Sequence, residues 1–259
     1  MGQAVNFYGM PPGGQPINFY SRPPSVDVNT VLYLDFEGTE GSRNILDSSS
    51  YNHSVSLSTL GNMLASITTA QTIQNFSSLF VEGTSPFVSV KANDIFNIDT
   101  NNITIQEYIR FNSLTEGGLY GIFRRMAASD VFVDFYLNQS IDEFFVGINE
   151  FTLVFQNRDG GSPYTLTSNT FSLTLGEWHH VAMNYNFSTR EINLYLDFVL
   201  IATGTNSINP PSLSGTDLLI NHHGTSGGDW NPNGYIDLYT ISNVVKTPGG
   251  QPINFYSLP

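Results

Sequence analysis

Short segments in which apolar and polar residues alternate recur through the middle of the chain. In Ile103-Thr104-Ile105-Gln106-Glu107-Tyr108-Ile109-Arg110-Phe111 the apolar residues fall mainly at odd positions. A period of two predicts a strand with one buried face. The same alternation marks Val131 to Phe135, Phe151 to Phe155 and Ile192 to Leu196. Clusters of Gly, Asn, Ser and Pro separate these segments, and such residues accept the backbone conformations that turns require. No window carries a long helical pattern, and the best helix candidate is a turn or two near Leu60 to Ala65. Many short strands with almost no helix predict an all-β fold, an antiparallel two-sheet β-sandwich or jelly roll. One such domain over residues 25–247 suffices, because sandwiches of about 200–250 residues form single domains.

The ends follow a different pattern. Residues 1–24 hold two tandem copies of one motif, Gly2-Gln3-Ala4-Val5-Asn6-Phe7-Tyr8 and Gly14-Gln15-Pro16-Ile17-Asn18-Phe19-Tyr20, and residues 248–259 hold a third. Nine consecutive residues, Gly13 to Ser21, recur identically as Gly249 to Ser257. Gly and Pro bracket the copies, block a helix and favour extended or polyproline geometry. A unit this short cannot bury its own aromatic rings. The partner-docking candidates are therefore Val5, Phe7 and Tyr8, then Ile17, Asn18, Phe19 and Tyr20, then Ile253, Asn254, Phe255 and Tyr256. Such a peptide lies along a groove or sheet edge of another subunit, with main-chain hydrogen bonds for affinity and side-chain pockets for specificity. Two other readings stand beside it: the copies pack on the chain's own domain as edge strands, or they are a duplicated linker without a receptor.

Composition narrows the chemistry. The 259 residues include 19 Phe and 13 Tyr, ample for a core, while only 12% are charged, about half of the roughly 25% usual in globular proteins. Zero cysteines exclude disulfides, thiolate catalysis and Cys-ligated metals. A net charge of -13 with only two lysines, Lys91 and Lys246, argues against nucleic acid and anionic membranes, since such binding works through Lys and Arg. The opening residues show no basic, then apolar export signal, and no apolar run has the roughly 18 residues of a membrane span.

A family resemblance now appears. Glu177-Trp178-His179-His180-Val181-Ala182-Met183, followed by Ile192-Asn193-Leu194-Tyr195-Leu196-Asp197, resembles the W-x-H-V-A … L-Y-x-D-G stretch of laminin-G-like, concanavalin A-like jelly rolls. Leu32-Tyr33-Leu34-Asp35-Phe36 with Leu46-Asp47-Ser48-Ser49 is similar to that family's opening strand and D-x-S turn. Gly234-Tyr235-Ile236-Asp237 followed by Ile241-Ser242-Asn243 resembles its closing strand. The matches come in family order over roughly residues 30 to 245. Phe198 stands where the family usually has Gly after Asp, so the hairpin there is expected to turn differently.

The resemblance implies three possible roles: glycan-binding lectin, glycoside hydrolase or adhesion module. Retaining glycosidases need two carboxylates about 5 Å apart, and the β-glucanase relatives carry them as Glu-x-Asp-x-x-Glu. The sequence contains no Glu-x-Asp, and Asp142-Glu143 are adjacent, so on a strand they face opposite ways. The single Gly-x-Ser-x-Gly match, Gly224 to Gly228, leads into no helical pattern, which a nucleophile elbow requires. The pairs His179-His180 and His222-His223 lack metal-motif spacing, and the resemblance gives His180 a structural role. The candidate ligand loop holds His222, His223, Asp229, Trp230, Asn231 and Asn233, with Trp stacking on a sugar and Asp229 and Asn231 accepting hydroxyls. The plainer reading is a long turn whose Trp covers the sandwich edge.

No catalytic residue and no cofactor is expected, calcium on the oxygens of that loop being the one variant. The expected role is a non-enzymatic structural or adhesion protein of an assembled particle, in the setting of a virion built in a host cytoplasm. Capsid decoration, head fibre and tail fibre are the forms considered. Its terminal repeats would bind a capsid protein, another virion protein or copies of the chain itself. The alternative is a lectin-like module for a cell-surface glycan, and glycoside hydrolysis is a more remote one.

Overall fold

In the computed structural model of the chain, every segment with two-residue alternation is part of a strand. The structure describes residues 27–58, 64–73, 77–84, 86–113, 118–141, 147–222 and 230–248. All the partner-docking candidates of the terminal repeats lie outside the described residues, as do Asp142, Glu143, His223 and Asp229.

Two antiparallel sheets face each other. The larger holds β1 (Thr30–Leu34), β3 (Leu64–Thr68), β4 (Ser78–Thr84), β6 (Ile103–Phe111), β11 (His179–Asn186), β12 (Glu191–Leu196), β13 (Val199–Thr205) and β15 (Trp230–Ser242). Its order is β13-β12-β11-β6-β15-β4-β3, with β1 also paired to β15. The smaller holds β2 (Val55–Ser58), β5 (Phe87–Val90), β7 (Leu119–Ala128), β8 (Val131–Ile141), β9 (Gly147–Asp159), β10 (Tyr164–Thr167) and β14 (Leu218–Ile220). Its order is β10-β9-β8-β7-β14-β5-β2. This is the expected jelly-roll sandwich. The expected helical turn near Leu60 to Ala65 is corrected in part, because Leu64 and Ala65 belong to β3. Among the described residues the helical element is one 3-10 turn, Asp94–Phe96.

Alternation explains the core. Ile103, Ile105, Ile109 and Phe111 of β6, with Val181, Met183 and Tyr185 of β11, face Phe135 and Leu137 of β8 and Phe151, Leu153 and Phe155 of β9. Glu107 occupies the same inward phase of β6 and is completely buried. Burial holds its carboxyl well above the ordinary carboxylate range, despite the Tyr120 hydroxyl beside it. In β15 the phase changes: Ile236 faces inward, then Tyr239 and Ile241. An extra residue between Asp237 and Thr240 makes the shift, with Leu238 at φ 50°, a β-bulge. Before it β15 pairs with β4, after it with β1.

The two ends of the domain meet. Asn243 N–H donates to Asn29 O at 3.0 Å, and Lys246 Nζ lies 2.9 Å from Asp27 Oδ2. The first and last described segments therefore leave the sandwich side by side.

Candidate binding face on the larger sheet

The outward phase of the central strands carries aromatic rings where an exposed sheet ordinarily carries polar ones. Register brings residues distant in sequence into rows: Phe80 pairs with Tyr235 across β4 and β15, and Tyr235 with Arg110 across β15 and β6. The Phe80 and Tyr235 rings are 5.3 Å apart, Trp178 lies 6.3 Å from Tyr235, and the Arg110 guanidinium sits 5.6 Å from the Tyr235 centroid. Arg110 is held there by its Nε–H, which donates to Gly176 O at 2.6 Å. One row along, His180 stacks on Phe198 with centroids 4.2 Å apart and planes within 9°, and Tyr108 lies 5.0 Å from His180. Phe80, Tyr108, Arg110, Trp178, Phe198 and Tyr235 are all half-buried. Half-exposed rings flanked by a fixed cation suit stacking against a flat apolar surface of a partner.

The motifs that carry the family resemblance build the frame of this face. Asp47 accepts from Tyr33 N and Ser49 N through Oδ1, at 3.0 and 2.9 Å, and from His53 N through Oδ2 at 2.8 Å. Its carboxylate closes the turn after β1. His179 Nδ1 lies 2.9 Å from Asp197 Oδ2, and His180 N–H donates to Asp197 Oδ1 at 2.9 Å. Burial pulls the His179 pKa down, but the hydrogen bond and charge of Asp197 outweigh it and leave the pKa raised. Burial raises Asp197 in turn, and its bonds to His179 and to His180 N–H bring it below the ordinary value. Asp237 sits at the bulge, almost fully buried, and accepts from Ile73 N at 3.0 Å. Burial, with Glu37 and Asp35 nearby, pushes its pKa well up.

The hairpin at Asp197-Phe198 corrects one expectation. Leu196 pairs directly with Val199, and both intervening residues have positive φ, 47° and 67°. This is the two-residue primed turn usually served by Gly at its second position, so the turn is kept without the glycine. Phe198 carries the backbone strain and offsets it by stacking on His180. Phe198→Gly is expected to change stability by no more than about 1 kcal/mol, since relief of a left-handed non-Gly residue, roughly 1–2 kcal/mol, opposes a lost ring pair of about 0.5–1.5 kcal/mol. The same change is expected to raise the His180 pKa from about 4 towards its ordinary value. An NMR titration of the imidazole reads this, and an unmoved titration would mean that Phe198 does not shield it.

The residues singled out as a ligand loop are placed in several settings. Trp230 and Asn231 open β15 and pair through their backbone with Thr84 and Gly83 of β4. Asn233 Nδ2 donates to Glu82 Oε1 at 3.0 Å, and its Oδ1 accepts from Asn112 Nδ2 at 2.9 Å. His222 packs on Phe87 of the smaller sheet, centroids 5.0 Å apart. Its carbonyl crosses Gly121 so closely that a Cβ there would come within 2.0 Å of the oxygen. His222 thus packs against the smaller sheet while the His179-His180 pair lies on β11 of the larger, and among the described residues no group of three or more His, Asp or Glu could hold a metal. The aromatic rows were not singled out from sequence. Their one sequence signal is Tyr108, an aromatic residue in the polar phase of β6.

Residues 82–249, well over half of the chain, match the model of the concanavalin A-like lectin/glucanases superfamily, laminin G type. The chain belongs to this superfamily. No curated protein matches it significantly in sequence. Among solved structures, the superfamily fold here is similar to the binding domain of paraclostridial mosquitocidal protein 1, with TM-score 0.60 and 18% identity over 84% of this chain and 49% of that one. It is also similar to the botulinum neurotoxin serotype D binding domain, with TM-score 0.56 and 15% identity over 85% and 50% of the two chains. The binding domain of botulinum neurotoxin DC in complex with SialylT gives TM-score 0.56 and 16% identity over 83% and 48%. The chain spans about half the length of each. These likenesses concern the fold.

Proposed function

We propose that this chain is a non-enzymatic structural and adhesion protein of an assembled particle, a virion decoration, head-fibre or tail-fibre component, held by its terminal repeats to a capsid protein or to neighbouring copies. The observation that carries this reading is the identical nine-residue word at both ends of the chain. The pairing of Asp27 with Lys246 supports it, because tails that leave the domain together reach one neighbouring surface. Several weak peptides then act jointly through their effective concentration. The outer face of the larger sheet supports a binding role over a hydrolytic one, since it gathers rings and a guanidinium.

Deleting residues 1–24 and 249–259 is expected to abolish co-sedimentation with assembled particles while leaving the cooperative melt of the β-sandwich intact. Co-sedimentation that survives the deletion would refute the anchoring role. Phe19→Ala and Phe255→Ala should weaken association more than changes at Gln15 or Gln251, because buried aromatic anchors dominate such contacts.

A second reading is favoured by the row Phe80, Tyr235, Trp178. Rings of this kind stack on sugar faces, and one structure with this fold is a complex with SialylT. In that reading the domain displays a glycan-binding face and the tails attach it to the particle.

A further inference from the structure

We propose that Glu107, Tyr120 and Tyr239 form an internal water-binding site between the two sheets, in which an ordered water molecule bridges the carboxyl and the two phenol hydroxyls. The site is independent of the terminal repeats and of the role given to them.

Three polar side chains meet inside the core. Glu107 comes from β6 and Tyr239 from β15 of the larger sheet, and Tyr120 comes from β7 of the smaller one. They are 0%, 0% and 3% exposed, so bulk water does not solvate them. The charge of Glu107 acts on both phenols, and Tyr239 acts on Tyr120, which places the three polar ends around one point. Both carboxyl oxygens and both hydroxyls are buried without a hydrogen-bond partner in the chain. Each of the four oxygens would bear the cost of desolvation with no bond in return. The nearest strand neighbours offer none, since Ile105 and Ile109 flank Glu107 on the inward face of β6 and Val181 pairs with it across β11.

The backbone makes room for the bridging molecule. On the β15 side Gln106 pairs with Thr240 and Tyr108 with Asp237, so Glu107 faces the two bulge residues Leu238 and Tyr239 instead of one partner. A bulge interrupts the ladder and bends its strand, which opens beside Glu107 a space that a continuous ladder would close. The same bulge turns Tyr239 into the inward phase, towards Glu107. The chemistry of the oxygens suits water. A carboxyl and two hydroxyls present acceptors and donors together, and a buried water typically makes about three hydrogen bonds to such groups. A hard cation such as calcium takes about six to eight oxygens, more than these three side chains supply. Gln106 and Tyr108, on either side of Glu107, turn outward to His180. The water therefore pins, from beneath, the strand pair that carries Tyr108 and Tyr235 of the candidate binding face.

Relaxation dispersion of water oxygen-17, which counts waters held longer than the tumbling time, tests this on the full chain. Glu107→Leu combined with Tyr239→Phe replaces two of the polar ends by apolar groups and is expected to lose one long-lived water relative to the native chain. Glu107→Gln, whose amide still donates and accepts, should keep it. Glu107→Met preserves the shape of the side chain and is expected to show the same loss, so it decides the matter should the double variant not fold. A native chain without a long-lived water, or a count that the apolar variants leave unchanged, overturns the proposal. So does a melting midpoint that is higher in potassium or sodium chloride than in tetramethylammonium chloride at equal ionic strength, with the difference lost in Glu107→Met, because it places a cation among the oxygens.

Discussion

Arg124→Met is expected to destabilise the sandwich by about 3–5 kcal/mol, the cost of stranding one member of a buried ion pair. Arg124 and Asp134 pair in register across β7 and β8 on the outward phase of the smaller sheet. Their Nη1 and Oδ2 atoms are 2.8 Å apart, with side chains only 4% and 2% exposed. The guanidinium also lies 5.6 Å from the Phe132 ring, and its Nη2 donates to Met126 Sδ at 3.0 Å. Without the cation, the Asp134 carboxylate is left desolvated. A loss of this size is a large fraction of the roughly 5–15 kcal/mol that holds a domain together. Adding Asp134→Leu should recover most of it, because buried pairs replaced by packed apolar groups are often neutral or better. Urea unfolding of the two single variants and the double variant reads the coupling. A cost below about 1 kcal/mol for Arg124→Met would mean that the pair behaves as a solvated surface pair.

That pair also shows where sequence stops being informative. The strand Ile103–Phe111 was legible to the residue because Ile103, Ile105, Ile109 and Phe111 mark one face of β6 at a two-residue period that only Glu107 interrupts. In β7 the word Phe123-Arg124-Arg125 hides the pattern, since a register shift between Gly121 and Phe123 changes the phase. Arg124 then faces outward beside Asp134, while Arg125 is wholly buried and donates to Leu213 O and Thr216 O at 2.7 and 2.9 Å. The closing strand was recognisable as a motif, but only the bulge at Leu238 explains why Ile236 and Ile241, five residues apart, both face inward. The aromatic rows were illegible for a topological reason. The strand order β4-β15-β6-β11 gathers Phe80, Tyr235, Arg110 and Trp178, and nothing local in sequence announces those neighbours. At Phe198 the expectation failed because the length of the connection, rather than a glycine, dictates the turn. The repeats were the reverse case, fully legible as words and outside the described residues.

Between about pH 6.5 and 4, His180 is expected to contribute an acid-side loss of stability of up to about 3 kcal/mol at 1.36 kcal/mol per pKa unit, against the raised carboxyls of Glu107 and Asp237, whose contributions run the other way. The ring is 2% exposed, stacked on Phe198, and burial lowers its pKa from 6.5 to about 4, against a smaller opposing pull from Asp197. Nε2 lies 3.3 Å from Gln106 Oε1, while Nδ1 is buried with no hydrogen-bond partner. With Nε2–H donating to Gln106, a second proton would have to sit on Nδ1 without an acceptor. The unfolded chain takes up that proton near pH 6.5 and the native chain only near pH 4. Its contribution is therefore full above pH 6.5 and is lost progressively as pH falls. His179 acts with the opposite sign: its raised pKa contributes stability that is full below 6.5 and lost as pH rises through the native value. Adjacent histidines on one strand thus titrate against each other because one meets a carboxylate and the other a phenyl ring. Measured by urea titration at several pH values, the unfolding free energy of the native chain minus that of His180→Gln should fall as pH drops from about 6.5 to 4, and the same difference for His179→Gln should fall as pH rises. A difference for His180→Gln that does not change with pH would show that the buried ring is not the group that takes up the proton.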